Sequence, residues 1–392
     1  MRLCPIEDLR PGMTLGRDVS DERLDLLIAA GVPLDEQMIQ RLVTLGVDDV
    51  YVHEEGTDDV EPGEMISDLT RRKTHKVLRR TFDDLQNLGE MTDWANEDTT
   101  AIIQFDDRYE NSVAVQDFRE VVHSTIEDMF VERETVFETP MVKQYLNRNY
   151  EHALNTTILS IMIARAFSFS PEELTAIGMA AMLHDIGKLV LPKVRDHKLL
   201  ELSSEEMRMY KKHPMVGAAI LQKSAPNCNR ERAAIMQHHE LQDGRGYPNK
   251  LKGFNDAPLK TRVTKPNGIF RFAEIICVAN AFDNYLNGDL QANPMTPQKA
   301  VETLVRGAGQ LYNRIVVSAA AEIINTYPVG SIVEIRSGDG YILPGMRGVV
   351  RKGTSPLVHA PIIVILWDTA GRKIKPIEVD LNKRLGIKIE II

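Results

Sequence analysis

The sequence predicts a mainly α chain: a central helical bundle flanked by a small N-terminal α/β module and a small C-terminal β-module. Three observations carry that expectation. Apolar residues recur at helical spacing through the middle of the chain. The two ends instead carry short β-branched runs broken by Gly and Pro. Five of the ten histidines form one ordered pattern between residues 152 and 248, grouped where helical stretches end. At 392 residues the chain is long enough for two or three domains. The expected boundaries are 1–60 for the α/β module, 61–139 for a helical connector, 140–327 for the bundle and 328–392 for the β-module.

In the first module, Pro11-Gly12-Met13-Thr14-Leu15 reads as a turn entering a strand, and Leu26 to Gly31 as a short strand and turn. Asp35 is placed to cap a helix carrying Met38, Ile39, Leu42 and Leu45, which Gly46 ends, and Val50-Tyr51-Val52 returns as a strand. The acidic stretch from Glu54 to Glu64 reads as a linker. In the connector, Leu69, Val77, Leu78, Phe82, Leu85 and Leu88 form an amphipathic stripe suited to packing on a neighbour or to dimerisation. Gly89 to Asp107 reads as a loop.

In the bundle, one helix is predicted over Met141–Phe167. A second opens at Pro171 behind an N-cap Ser170 and ends near Gly187, and a third starts at the capping box Ser203-Ser204-Glu205-Glu206. Pro297 sits in the first turn of a late helix running toward Leu311. Beyond residue 329, the runs Ile332–Ile335, Gly348–Val350, Ile362–Leu366 and Ile387–Ile392 predict a small barrel or sandwich.

A net charge of −9 argues against a grip on a nucleic-acid polymer. Cys4, Cys228 and Cys277 are too scattered for a disulfide framework, no apolar run reaches the ~20 residues of a membrane span, and no signal peptide is evident. A cytoplasmic protein is expected.

The histidine pattern carries the chemistry. It reads His152, His184-Asp185, His213-Pro214, His238-His239-Glu240 and Asp243-Gly244-Arg245-Gly246-Tyr247-Pro248. Neutral imidazoles bind transition metals, and an aspartate among them can bridge two ions that activate water against a phosphodiester. Helix ends converging from several helices are where a bundle builds such a site. His53, His75, His123, His197 and His359 lack companions and read as ordinary structural or surface residues.

These motifs, with Ile186-Gly187-Lys188 following the His-Asp pair, resemble the HD-GYP family of metal-dependent phosphodiesterases over roughly residues 140–325. Leu9 to Met13 through Val52 resembles the small module often found ahead of that domain. The resemblance implies an HD-type helical bundle and an enzyme, a hydrolase acting on cyclic dinucleotides, chiefly cyclic di-GMP, to give pGpG or GMP. It implies two divalent ions, iron, manganese or similar. One would take His152, His184 and Asp185. The other would take Asp185 as a bridge with His213, His238 and His239. Asp185 and Lys188 are the implied catalytic residues, and Lys188, Tyr247 and Arg245 the implied substrate contacts. Asn280 stands where the family has a metal-binding aspartate, with Asp283 one turn on as a substitute. The family's arginines beyond that helix are missing from Tyr285–Asn293, and a basic segment, Lys260–Pro266, precedes it. Arg148 stands where some members carry a third-metal glutamate, so two ions are expected. The alternative reading is a weak or inactive member that binds cyclic dinucleotides as a scaffold; a mixed cyclic dinucleotide is a third. The expected partners are the cyclic dinucleotide, with no nucleic-acid polymer and no membrane, and a second copy or a signalling protein at the connector.

Overall fold

The structure, a computed structural model, describes residues 1–21, 25–92, 99–131, 136–138, 148–195, 199–261, 265–288, 293–353 and 360–392. The chain is mainly α, as its periodicity predicts. The N-terminal part contains β1 (Arg2–Pro5), β2 (Val19–Ser20), β3 (Leu26–Ile28), α1 (Glu36–Thr44) and β4 (Asp49–Val52). β1 pairs antiparallel with β4, Leu3 opposite Tyr51, and β2 pairs antiparallel with β3. Asp35 caps α1 by accepting from the Met38 amide at 2.7 Å, which turns Leu42 onto a core of Cys4, Leu15, Leu34 and Val50.

The acidic stretch after β4 is more than a tether. Val60 is buried with Val329, Val349, Val364 and Leu366 of the C-terminal part, and Asp59 pairs with Arg351. An apolar residue at one position of an otherwise charged segment is enough to fasten it.

The helical body follows: α2 (Asp68–Glu90), α3 (Thr99–Phe105), α4 (Val115–Val131), α5 (Arg148–Ala166), α6 (Pro171–Met182), α7 (Ile186–Leu189), α8 (Pro192–Arg195), α9 (Ser204–Tyr210), α10 (His213–Ser224), α11 (Asn229–Gln237), α12 (Arg271–Asn287), α13 (Pro297–Gly307) and α14 (Arg314–Ile323). The stretch expected as a connector shares the core of this body. Leu78, Phe82 and Leu85 of α2 and Phe118 and Val122 of α4 are buried in one cluster with Leu154, Ile158 and Ile161 of α5 and Ile177 of α6. α3 stands where a loop was expected, because Ile103 gives that charged stretch a buried anchor. Two contacts seat α2. Glu151 of α5 lies 3.3 Å from Arg71 and 3.0 Å from His75, all three buried. At its far end Gly89 meets the backbone of Val190, where a Cβ would fall 2.6 Å from the Val190 Cα.

Ser203 forms the predicted capping box with Glu206, and the predicted N-cap Ser170 also forms one with Glu173. α6 stops at Met182, earlier than expected. Leu183 caps it, the chain turns through His184 and Asp185, and a new helix, α7, starts at Ile186. Gly187 lets α7 touch the start of α10: a Cβ there would lie 2.0 Å from the His213 carbonyl oxygen and 2.6 Å from the Gly217 nitrogen. α13 ends at Gly307, short of Leu311, because the chain turns back through Gly309 at φ +87°. The start predicted at Met141 lies outside the described residues.

The C-terminal part is a five-stranded antiparallel sheet of β5 (Ile332–Ser337), β6 (Arg347–Lys352), β7 (Ile362–Trp367), β8 (Lys373–Asp380) and β9 (Lys388–Ile391), in the order β8-β7-β6-β5-β9. Alternation separates its faces: Val350, Ile363 and Ile365 enter one core, while Val349, Val364 and Leu366 face Val60 and Val329. No helix among the described residues is long and apolar enough to cross a membrane.

Replacing Gly187 by Ala should force α7 and α10 apart. We expect a fall in stability of about 1–3 kcal/mol, read as a lower urea midpoint; an unchanged midpoint would show that the two helices give way freely.

Candidate metal centre

Each ligand candidate stands at a place where a helix begins, ends or exposes one turn. His152 lies in the second turn of α5. His184 and Asp185 occupy the break between α6 and α7. His213 opens α10, and His238 caps α11 with His239 following. His184, His213 and His238 are fully buried, held in by Leu183, Val216 and Ile235 of the core.

The orientation of each ring is set from behind. Nδ1 of His184, His213 and His238 lies 2.7 Å from the carbonyl oxygen three residues earlier, on Ala181, Tyr210 and Ile235 respectively. A carbonyl only accepts, so Nδ1 carries the proton and Nε2 of the neutral ring is a bare lone pair. The Nε2 atoms of His213 and His238 nevertheless stand 3.2 Å apart. Those of His152 and His184 are also 3.2 Å apart.

Asp185 sits between the two pairs. Its Oδ1 lies 3.2 Å from His213 Nε2 and 3.7 Å from His238 Nε2, and its Oδ2 lies 3.3 Å from His184 Nε2 and 3.6 Å from His152 Nε2. Two groups thus share one carboxylate: Asp185 with His213, His238 and His239, and Asp185 with His152 and His184. Asp185 Oδ1 and His239 Nε2 are buried and make no hydrogen bond. Lone pairs facing one another beside orphaned buried acceptors fit divalent cations, one to each group.

Burial sets the charge states. It lowers both His213 and His238 to about 4 against the opposing pull of Asp185. It also holds His239 well below its ordinary value, and His238 and His213 add to the effect. For Asp185 burial pushes upward, but the charges of His184 and Lys188 and the hydrogen bonds around it outweigh that and hold the carboxyl well below its usual range. Lys188 Nζ lies 2.6 Å from Asp185 Oδ2 and 4.9 Å from the Tyr210 ring centre, contacts that outweigh burial and raise its pKa.

The remaining predicted residues divide. Tyr247 stacks on His239 at 4.6 Å and 19°, so it walls the second group. Gly246 brings that loop back tightly, since a Cβ would lie 2.4 Å from the Leu241 nitrogen. Arg245 is exposed and paired with Asp243 at 2.6 Å. Asn280 is buried on α12, and its Oδ1 accepts from Asn284 at 2.6 Å. In the basic segment, Lys265 pairs with Asp256 at 2.7 Å, while residues 262–264 lie outside the described set, as do His197, His359 and the side chain of Arg148. His123 is exposed beside Glu127.

Two roles were missed by sequence reasoning. Glu240 accepts from the amides of Asn249 at 2.6 Å and Leu251 at 2.8 Å, tying down the Gly-Tyr-Pro loop. Asp283 accepts from His152 Nδ1 at 2.7 Å, behind the ring. The sequence offered Asp283 only as a substitute ligand one turn beyond Asn280.

The lowered values of His213 and His238 carry a pH dependence. Between about 6.5 and 4 the unfolded chain binds protons that these folded rings refuse, so stability rises with pH across that window. His152 is shifted the other way: burial lowers it, but the hydrogen bond and charge of Asp283 prevail and raise it, so its contribution is full below 6.5, nearly constant across this window, and fades only above its raised value. His184 and His239, also lowered by burial, act in the same direction as His213 and His238. The urea midpoint of the metal-free chain should therefore fall as pH drops from 6.5 to 4, and a flat profile would count against neutral His213 and His238.

The histidine cluster lies in the part of the chain that is similar to known proteins. The HD domain family matches residues 137–316. The chain is 33% identical over 159 residues to the cyclic di-GMP phosphodiesterase response regulator RpfG of Xanthomonas campestris, covering 40% of this chain and 39% of that protein. It is 31% identical over 209 residues to a cyclic di-GMP phosphodiesterase of Thermotoga maritima, covering 51% and 52%. The chain thus spans about half the length of these curated relatives, or less. Among solved structures, Bd1817, an HDGYP protein of Bdellovibrio bacteriovorus, aligns over 81% of this chain and 97% of its own at 15% identity and TM-score 0.39. Residues 137–316, the part matched by the HD domain family, contain every histidine of the cluster.

Proposed function

We propose that this chain is a dinuclear-metal phosphodiesterase that opens a cyclic dinucleotide, cyclic di-GMP first, to linear pGpG or on to GMP. One observation carries the reading: a single carboxylate, Asp185, presents one oxygen to each of two histidine pairs whose Nε2 lone pairs face one another. Relatives named as cyclic di-GMP phosphodiesterases, and one named as a 3'3'-cGAMP-specific phosphodiesterase in Vibrio cholerae, support the substrate class.

His152, His184 and Asp185 would hold one ion, and Asp185, His213, His238 and His239 the other. Bound there, the pair supplies Lewis acidity, a more acidic water and neutralised phosphate charge. The chain's own residues do the rest. Lys188, 23% exposed in its side chain, is a fixed cation beside the bridging carboxylate, placed to meet a phosphate oxygen. Tyr247 and the buried rings keep bulk water from the second group, which strengthens each charge interaction inside. Asn280 would add a neutral oxygen to the first ion.

The second reading, a protein that binds the dinucleotide without turning it over, draws on Asn280, whose oxygen already accepts from Asn284. A nucleotide panel incubated with the manganese-loaded chain separates the two. We expect linear product from cyclic di-GMP, lost on chelation and restored by the metal, and a fall of about 10³-fold in Asp185→Ala. Binding with no product would favour the scaffold.

A further inference from the structure

We propose that Asp283 is a positioning residue that sets the affinity of the ion held by His152, His184 and Asp185, acting through the His152 ring. The inference rests on the dinuclear reading above. Of the five rings in the cluster, three are held by the carbonyl three residues earlier in their own turn. Those three stand at helix ends, where carbonyls or turns are free to do this. His152 stands inside α5, where the local carbonyls belong to the helix's own hydrogen bonds. Its Nδ1 is served instead from α12, by Asp283 Oδ2 at 2.7 Å.

That partner differs in kind from the other three. It is a buried carboxylate, 4% exposed. Its oxygens are fixed by neutral amides, Asn155 Nδ2 on Oδ1 at 3.1 Å and Asn287 Nδ2 on Oδ2 at 2.7 Å. Among the described residues, neutral amides orient those oxygens, and the negative charge is directed at the ring. A charged acceptor on Nδ1 makes Nε2 a stronger donor and fixes the ring plane. This first group contains two neutral rings and one shared carboxylate. Asp283 adds a negative charge to it without taking a coordination position.

The test is titration of the metal-free full chain with Mn(II), counting ions and affinities by equilibrium dialysis. The wild type should bind two ions. Asp283→Asn, near in shape, should weaken one of them about 10–100-fold and leave the other unchanged. In a His152→Ala background the same substitution should have no further effect, because the ring that carries it is gone. Equal weakening with and without His152, or two unchanged ions in Asp283→Asn, would overturn the proposal while the dinuclear reading stands. A wild type that binds one ion, weakened by Asp283→Asn only when His152 is present, would overturn the dinuclear reading and support Asp283. Should Asp283→Asn fail to fold, Asn155→Ala and Asn287→Ala must each weaken the same ion several-fold, and unchanged affinity in both would reject the idea.

Discussion

Electrostatic frustration is concentrated at one point of this fold. Histidine nitrogens that cannot donate are held within 3.2 Å of one another, around a carboxylate that offers an oxygen to each pair. Packing enforces this: three of the rings are fully buried and each is anchored from behind. A cation resolves the conflict for neutral rings, because proton sharing would require charging groups that burial keeps neutral. The helix breaks at 183–185 and 210–213 and the contact of α7 with α10 through Gly187 all bring those atoms together.

Much of this was legible in residue order. Capping signals at Asp35, Ser170 and Ser203 fell where the structure has them, because caps are decided by three or four neighbouring residues. The histidine cluster was legible because five rings and an aspartate at helix ends have few other uses. Long-range packing was not. Nothing local in α2 shows that His75 and Arg71 flank Glu151, eighty residues away at most, or that the charged stretch 54–64 hides Val60 under the sheet. The true end of α6 was also hidden, since the helical periodicity continues across the turn at His184 that interrupts it.

The two ends of the chain meet each other. Arg2 pairs with Glu54 at 2.8 Å, Lys373 reaches the same carboxylate, and the Leu3 amide donates to the Gly330 carbonyl at 2.8 Å. Both small modules therefore lean on one seam, and the segment leading into α2 runs through it. The more exposed Asp59–Arg351 pair adds little by itself; the buried Val60, Val329 and Val364 join the parts.

The seating of α2 bears on where the helical body around the histidines begins. A chain trimmed to start at residue 140, where the histidine motifs would suggest a boundary, loses both Arg71 and His75. Glu151, next to the first histidine of the cluster, then loses both of the α2 side chains that face it, and the Val190 backbone behind α7 loses its cover from Gly89. The helical body that packs around the histidines is thus longer than the region of recognisable chemistry, and the added portion lies upstream.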